Sequence, residues 1–319
     1  MPAETTLVLL ALAFVVITGV NDGGAILAPG LRVPGLGVVR GLLVLTACVM
    51  TIPWLTSGVV AHTLADTIVE PGPLGATALA IGFVMAVIVV VVLTRRGLPT
   101  SLSLAVIGGA AGAGWGLGAP VAWTQVGWVL SIAALAPIVG MALALLGSTL
   151  WHALRPRRYL SAMTWGHRGA FTLQCVAYGA NDGQKILVLL LAAGLAGADG
   201  RLSWWWYPIL GVGFAGGTML GLPRMAHSVG SGILASRPAH VVTGEFAAAT
   251  AVLGSSALGA PVSMTQVIVG ALLGAGIKES YRKIRWRVVR SLALAWLLTL
   301  PLAMGTAGTV AVVAARWVL

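Results

Sequence analysis

Runs of about twenty apolar residues, the length that carries a helix across a ~30 Å hydrocarbon core, recur along the whole of this chain. They fall at 5–27, 36–60, 75–94, 98–118, 121–154, 169–196, 203–222, 241–258, 261–277 and 288–315. Barrel strands would instead alternate over ~10-residue segments, and no such alternation is present. Charged residues make up only 8% of the chain and hydrophobic ones 58%, with a mean hydropathy of +0.98. A soluble domain carries roughly 25% charged residues, so this chain has too few to cover a water-facing surface. The expected class is an all-α polytopic membrane protein with about ten transmembrane segments.

The first run has an acid, Glu4, where a signal peptide would carry a basic region, and no small-residue cleavage site follows, so it reads as the first span. Cys48 and Cys175 both fall inside apolar runs, which argues against a structural disulfide. The net charge of +11 could suggest nucleic acid, but its distribution argues for topology instead. One set of alternate loops holds Arg32, Arg40, Arg95, Arg96, Arg155, Arg157, Arg158, Arg168, Arg224 and Arg237, with the cluster Lys278, Arg282, Lys283, Arg285, Arg287 and Arg290. The other set holds Arg201 and Arg316, with the acids Glu4, Asp66, Glu70 and Asp199. The positive-inside rule then puts the basic loops in the cytoplasm and both termini outside a plasma membrane, with no nucleic-acid role. "SWWWYP" at 203–208 fits an aromatic anchor on the outer side.

The chain repeats itself. Asn21-Asp22 returns as Asn181-Asp182, 160 residues on. "GLPTSLSLAVIGGAAGAG" from Gly97 returns as "GAPVSMTQVIVGALLGAG" from Gly259, and a Trp then leads a span containing a proline, Trp123 with Pro137 and Trp286 with Pro301. Three markers in one order at nearly one offset divide the chain into a first transmembrane repeat (1–154), a basic cytoplasmic linker (155–168) and a second repeat (169–319). Five spans per repeat would invert the second copy relative to the first. Secondary transporters are commonly built so, with substrate near the bilayer midplane where broken helices meet. Gly in "GVNDGG" and "GANDGQ" permits backbone that a helix interior refuses. Pro99 and Pro261 break the pattern ahead of 98–118 and 261–277, each of which could span or re-enter.

An acid inside a membrane segment costs several kcal/mol on insertion scales and marks a functional site by default. Asp22 and Asp182, with the amides of Asn21 and Asn181, offer oxygen ligands to a hard cation such as Na⁺, or a group that takes up H⁺. The plainer reading is a water-facing Asn-Asp-Gly turn, which the symmetric recurrence disfavours. Thr100, Ser101 and Ser103 in one half and Ser263, Thr265 and Gln266 in the other lie beside the broken backbone. Hydroxyls and helix N-terminal amides there suit a tetrahedral oxyanion, the plainer reading being satisfaction by the preceding turn. Lys185, the one Lys or Arg within a span core, could pair with a carboxylate, approach an anion or snorkel; Gln184 beside it is a further candidate. Glu245 fits either a solvated mouth or a site role, and the five histidines read as interfacial. No Walker or other nucleotide fingerprint is present, which argues against ATP-driven transport by this chain alone.

"GANDGQK" at 179–185 resembles the signature of the inorganic phosphate transporter (PiT) family, with "GVNDGG" at 19–24 as its first-half partner and the Pro-x-Ser segments at 99–101 and 261–263 as its second repeated motif. The resemblance runs the length of the chain without a large central cytoplasmic domain; Val20 stands where the family usually has Ala. Leu104 and Gln266 stand where it often has His. The resemblance implies a Na⁺- or H⁺-coupled symporter for inorganic phosphate, with sulfate as the alternative cargo. Asp22, Asn21, Asp182 and Asn181 would form the coupling-cation and anion site, and Ser101 and Ser263 would be anion ligands. No cofactor is implied apart from Na⁺ at Asp22 and Asp182, and a homodimer is an open alternative. Competing classes are an anion channel on the same repeat and an intramembrane enzyme with Asp22 and Asp182 as its dyad.

Overall fold

The computed structural model describes residues 3–56, 58–95, 100–154, 158–192, 195, 202–230, 232–233, 237–277, 279 and 281–318. Arg96, Gly97, Pro99, Arg155, Arg157, Asp199, Arg201 and Lys278, which figure in the sequence argument, lie outside the described residues. Thirteen α-helices follow one another among the described residues. In the first half they are α1 (Ala3–Thr18), α2 (Gly24–Gly30), α3 (Val38–Leu55), α4 (Val59–His62), α5 (Pro73–Arg95), α6 (Leu102–Gly116) and α7 (Trp123–Leu154). In the second they are α8 (Tyr159–Tyr178), α9 (Gln184–Ala192), α10 (Trp206–Met225), α11 (Pro238–Ala257), α12 (Met264–Ile277) and α13 (Trp286–Val318).

The same order of elements is met twice. Two helices joined by a π-turn, Gly19–Gly23 or Gly179–Gly183, come first. A helix with proline near its end follows, Pro53 in α3 and Pro223 in α10, and then a second π-turn, Thr63–Thr67 or Ala226–Gly230. Next come α5 or α11, the short α6 or α12, and a long helix that opens on tryptophan and contains Pro137 or Pro301. The break around each Asn-Asp pair is therefore one wide turn in which the backbone stays right-handed, as Thr18 and Gly24 do on either side of the first. Irregular backbone opens both α6 and α12, at residues 100–101 and 260–263.

The two halves exchange partners. The α1–α2 pair leans on α10 of the second half, and α8 with its π-turn leans on α3 of the first. Likewise α6 packs along α13, and α12 along α7. With lipid tails as apolar as leucine, such helices associate through close packing, which small residues permit. Gly19 shows why: a Cβ there would sit 2.3 Å from the Phe214 carbonyl oxygen of α10, and one on Gly179 would sit 2.5 Å from that of Cys48 on α3. The core around this crossing is aromatic, with Phe14 edge-on to Phe83 at 5.2 Å and Tyr178 against Phe214 at 6.1 Å.

Five helices are, by length and composition, apolar enough to cross a membrane on their own: 5–30 taken through its π-turn, α3, α5, α7 and α13. The remaining runs are shorter or more polar. The helices α6 and α12 have 15 and 14 residues. At 1.5 Å per residue that is only ~20 Å, and each reaches further through its extended entry. The described residues of each form one continuous helix. Loops of the basic set meet one another: Arg168 donates to the Gly35 carbonyl, and Arg237 pairs with Glu279 in a cleft shared with His152 and Tyr159. Loops of the other set also meet, Glu70 donating through its amide to the Pro120 carbonyl at 3.0 Å and Ala122 to that of Ile68 at 3.1 Å.

Two expectations need correction. Residues 159–168, read as linker, form the first turns of α8. His167 consequently lies inside that helix and is fully buried, and His240 is buried too, so neither is interfacial.

Candidate functional site

Both Asn-Asp pairs ride on π-turns, and their asparagines reach the residues that open α6 and α12. The Asn21 amide donates to the Thr100 carbonyl at 3.1 Å and to its neighbour Asp22 at 2.9 Å, while the Thr100 hydroxyl donates back to Asn21 Oδ1 at 3.3 Å. In the second half the Asn181 amide donates to the Ala260 carbonyl at 3.3 Å and to the Ser256 hydroxyl at 3.1 Å. The halves meet at Ser103, whose hydroxyl donates to the Val262 carbonyl at 2.6 Å across the two helix entries. Lys185, one turn past Asp182, donates to the Asp182 carboxylate, to Ser103 Oγ and, at 3.0 Å, to the Val262 carbonyl. Of the alternatives for Lys185, the pairing with a carboxylate is the one realised; it is wholly buried and does not snorkel. Asp22, Asp182 and Lys185 lie within electrostatic reach of one another.

The hydroxyls divide by partner. Ser101 is the N-cap of α6, its Oγ accepting from the Leu104 amide at 3.3 Å. Ser263 and Thr265 bond to each other at 2.9 Å. Gln266 is buried in the first turn of α12. Gln184 is committed to structure: its Oε1 accepts from the Ala61 amide, and its Nε2 donates to Thr56 Oγ1 and to the Ala180 carbonyl. Glu245 stands apart. It is buried rather than at a mouth, and bonds at 2.8 Å to His167 on α8.

Among the described residues, Asn181 Oδ1 and Asp182 Oδ2 are buried without a hydrogen-bond partner, and the Tyr178 hydroxyl lies beside Asp22. A buried polar group left alone costs ~1–3 kcal/mol, so unsatisfied atoms converging at one place point to something that visits it. Carboxylate and amide oxygens beside hydroxyls suit a hard monovalent cation or a proton, and the donors at the entries of α6 and α12 suit an oxyanion. In the sequence, the signal that marks Tyr178 is its place directly before the "GANDG" turn. The Ser256 and Val262 contacts depend on chain pairings that sequence spacing does not reveal. An apolar cavity lined by Val49, Pro53, Trp54, Gly183, Ile186 and Tyr207 flanks the Gly179–Gly183 turn, and none of its lining side chains is an acid or an amide.

A polytopic helical protein whose symmetric, buried acids meet at two helix entries has the architecture of a membrane transporter. The description "Phosphate transporter family" matches residues 162–307. A Rhizobium meliloti protein described as a probable low-affinity inorganic phosphate transporter is 30% identical over 257 residues, covering 76% of this chain and 76% of that protein. A Bacillus subtilis protein with the same description is 26% identical over 317 residues, covering 96% and 95%. A solved structure described as a sodium-dependent phosphate transporter superposes with a TM-score of 0.81 over 100% of both chains, at 18% identity, and so shows the shared fold. The chain belongs to the inorganic phosphate transporter family, whose members are transporters rather than enzymes.

Proposed function

We propose that this chain is a secondary symporter that moves inorganic phosphate across the plasma membrane together with Na⁺ or H⁺. The observation that carries the reading is the convergence of Asp22 and Asp182 with Ser103 and the Val262 carbonyl, groups from both halves meeting in a fully buried place. In this reading Asp22, Asn21, Asp182 and Asn181 hold the coupling cation, and the α6 and α12 entries, with Thr100, Ser101, Ser103, Ser263, Thr265 and Gln266, receive the anion. Two like charges 4 Å apart repel by about 4 kcal/mol at an effective dielectric of about 20. A phosphate dianion beside two aspartates therefore needs positive charge to enter with it, and that requirement is the coupling.

The units 1–154 and 169–319 would be inverted copies that rock about this site, with the basic loops in the cytoplasm and both termini outside. Because α6 packs along α13 and α12 along α7, each moving body in this reading would contain helices of both copies. Radiolabelled phosphate uptake into proteoliposomes under separately imposed Na⁺ and H⁺ gradients, with sulfate as competitor, tests the reading. Accumulation that follows one gradient and resists sulfate is expected. Large uncoupled conductance, or accumulation of sulfate in preference to phosphate, overturns it.

A further inference from the structure

The two acids are placed alike by the repeat but are not partnered alike. At the Asn181-Asp182 turn the third residue on is Lys185; at the Asn21-Asp22 turn the residue in that place is Ala25. Asp182 accepts from the Lys185 ammonium, whereas the hydrogen bond held by Asp22 comes from the neutral amide of Asn21. We infer that the Lys185 ammonium is a built-in cation, seated against Asp182 where a symmetric site would take an external ion, so that this chain needs one fewer coupling cation per phosphate and takes up its external cation at Asp22. The inference rests on the symporter reading above.

The alternative role for a buried lysine in an anion transporter is direct contact with the anion. The geometry disfavours it. An ammonium has three hydrogens to donate, and all three are spoken for, by the Asp182 carboxylate, Ser103 Oγ and the Val262 carbonyl. Those acceptors, a carboxylate, a hydroxyl and a backbone carbonyl, are the ligands that a small hard cation would take at the entry of a helix. An ammonium tethered by a four-carbon stem supplies the same charge without being released on the far side. It also ties the two halves, because Ser103 belongs to α6 and Val262 to the entry of α12. Asp22, by contrast, has no cationic partner on its own turn, where Ala25 stands in the place of Lys185.

The test counts cations. Initial phosphate uptake is measured in proteoliposomes at clamped potential against Na⁺ at fixed pH and against pH at fixed Na⁺. The ratio of labelled Na⁺, or of protons, to labelled phosphate is measured in parallel. Steepness in the effective cation reports how many bind. In Lys185→Gln the missing charge must be supplied from solution, so steepness and the cation-to-phosphate ratio should each rise by about one relative to the parent. The double variant Asp182→Asn/Lys185→Gln removes both charges of the pair and should return to the parental ratio. It also carries the test if the single variant, with Asp182 left bare in the core, fails to fold. An unchanged ratio in Lys185→Gln, with only a weaker half-saturation for phosphate, would make Lys185 an anion ligand and overturn the inference. Loss of all gradient-driven accumulation in the double variant would overturn it too, since Asp182 would then bind the transported cation itself. A parent protein that accumulates phosphate under neither gradient sinks the symporter reading and this inference with it, an outcome separate from either failure in the variants.

Discussion

The side-chain amide of Asn21 donates to the backbone carbonyl of Thr100, 79 residues away, at 3.1 Å. The second half repeats the bond over the same separation, Asn181 to Ala260 at 3.3 Å. In each half, then, the asparagine of the Asn-Asp pair is a clamp on the irregular backbone that opens α6 or α12. Carbonyls freed from helix geometry in a membrane interior must find a donor in the protein, and these two amides supply it.

Removing either clamp should therefore cost stability before it touches transport. Asn21→Ala and Asn181→Ala each leave a buried carbonyl without its donor, a loss of ~1–3 kcal/mol. Thermal unfolding in detergent should show a lowered midpoint for both, while Thr309→Ala, on an exposed face of α13, should leave it unmoved. Parental midpoints in both asparagine variants would mean that the carbonyls are satisfied in some other way.

Much of this arrangement was legible in the sequence, and what escaped it has a physical cause. Apolar runs and the 160-residue recurrence depend only on the chemistry of local segments, so Asp22, Asp182 and the doubled element order could be read directly. Helix starts were less visible. Tyr159–Arg168 looks like a basic linker because it follows Arg155, Arg157 and Arg158 and ends on His167 and Arg168, yet His167 is paired with Glu245 inside the fold and α8 simply begins earlier. Pairings across the halves, such as Lys185 with Ser103 or α7 with α12, are products of packing and leave no trace in residue spacing.

Among the hydroxyls, the structure separates two kinds of prediction. Ser263 bonds only to Thr265 and can turn toward a visiting anion, so Ser263→Ala should weaken apparent phosphate affinity. A lost hydrogen bond to a charged group is worth ~1.5–3 kcal/mol, roughly a tenfold to hundredfold loss. Ser101 also caps α6, so Ser101→Ala should weaken affinity and in addition lower stability by about 0.5–2 kcal/mol. Uptake kinetics and unfolding on the same preparations distinguish them; parental kinetics in both variants would leave these hydroxyls with capping and packing roles alone.

A pH dependence is expected at the loop before α13. Burial pushes the Glu279 carboxyl up, but His240, Arg237 and Lys283 around it prevail and hold it below the ordinary glutamate range. Since its value in the fold is lower than in the unfolded chain, its stabilisation is complete above the ordinary range and is lost as pH falls through the lowered value. Hydrogen exchange of residues 281–285, corrected for intrinsic rates, should stay protected down to mildly acidic pH and lose protection below the ordinary glutamate range. Glu279→Gln should lack that transition; a transition of the same size in the variant would assign it to another group.

The sharpest prediction concerns Asp22, the acid without a cationic partner on its own turn. Asp22→Asn keeps the size and shape of the side chain and leaves the Asn21–Thr100 clamp in place, so the protein should fold and insert. Insertion can only gain from removing an intramembrane charge that costs several kcal/mol on translocon scales. If the carboxylate receives the coupling cation, phosphate loses its counter-charge on entry, and gradient-driven accumulation should disappear. The anion ligands at the entries of α6 and α12 remain, so slow exchange of phosphate down its own gradient should persist. Uptake measured against the imposed gradient, beside counterflow at zero gradient, separates the two processes. A variant that still concentrates phosphate as steeply as the parent would show that Asp22 does not hold the cation, and coupling would then have to arise elsewhere in the fold.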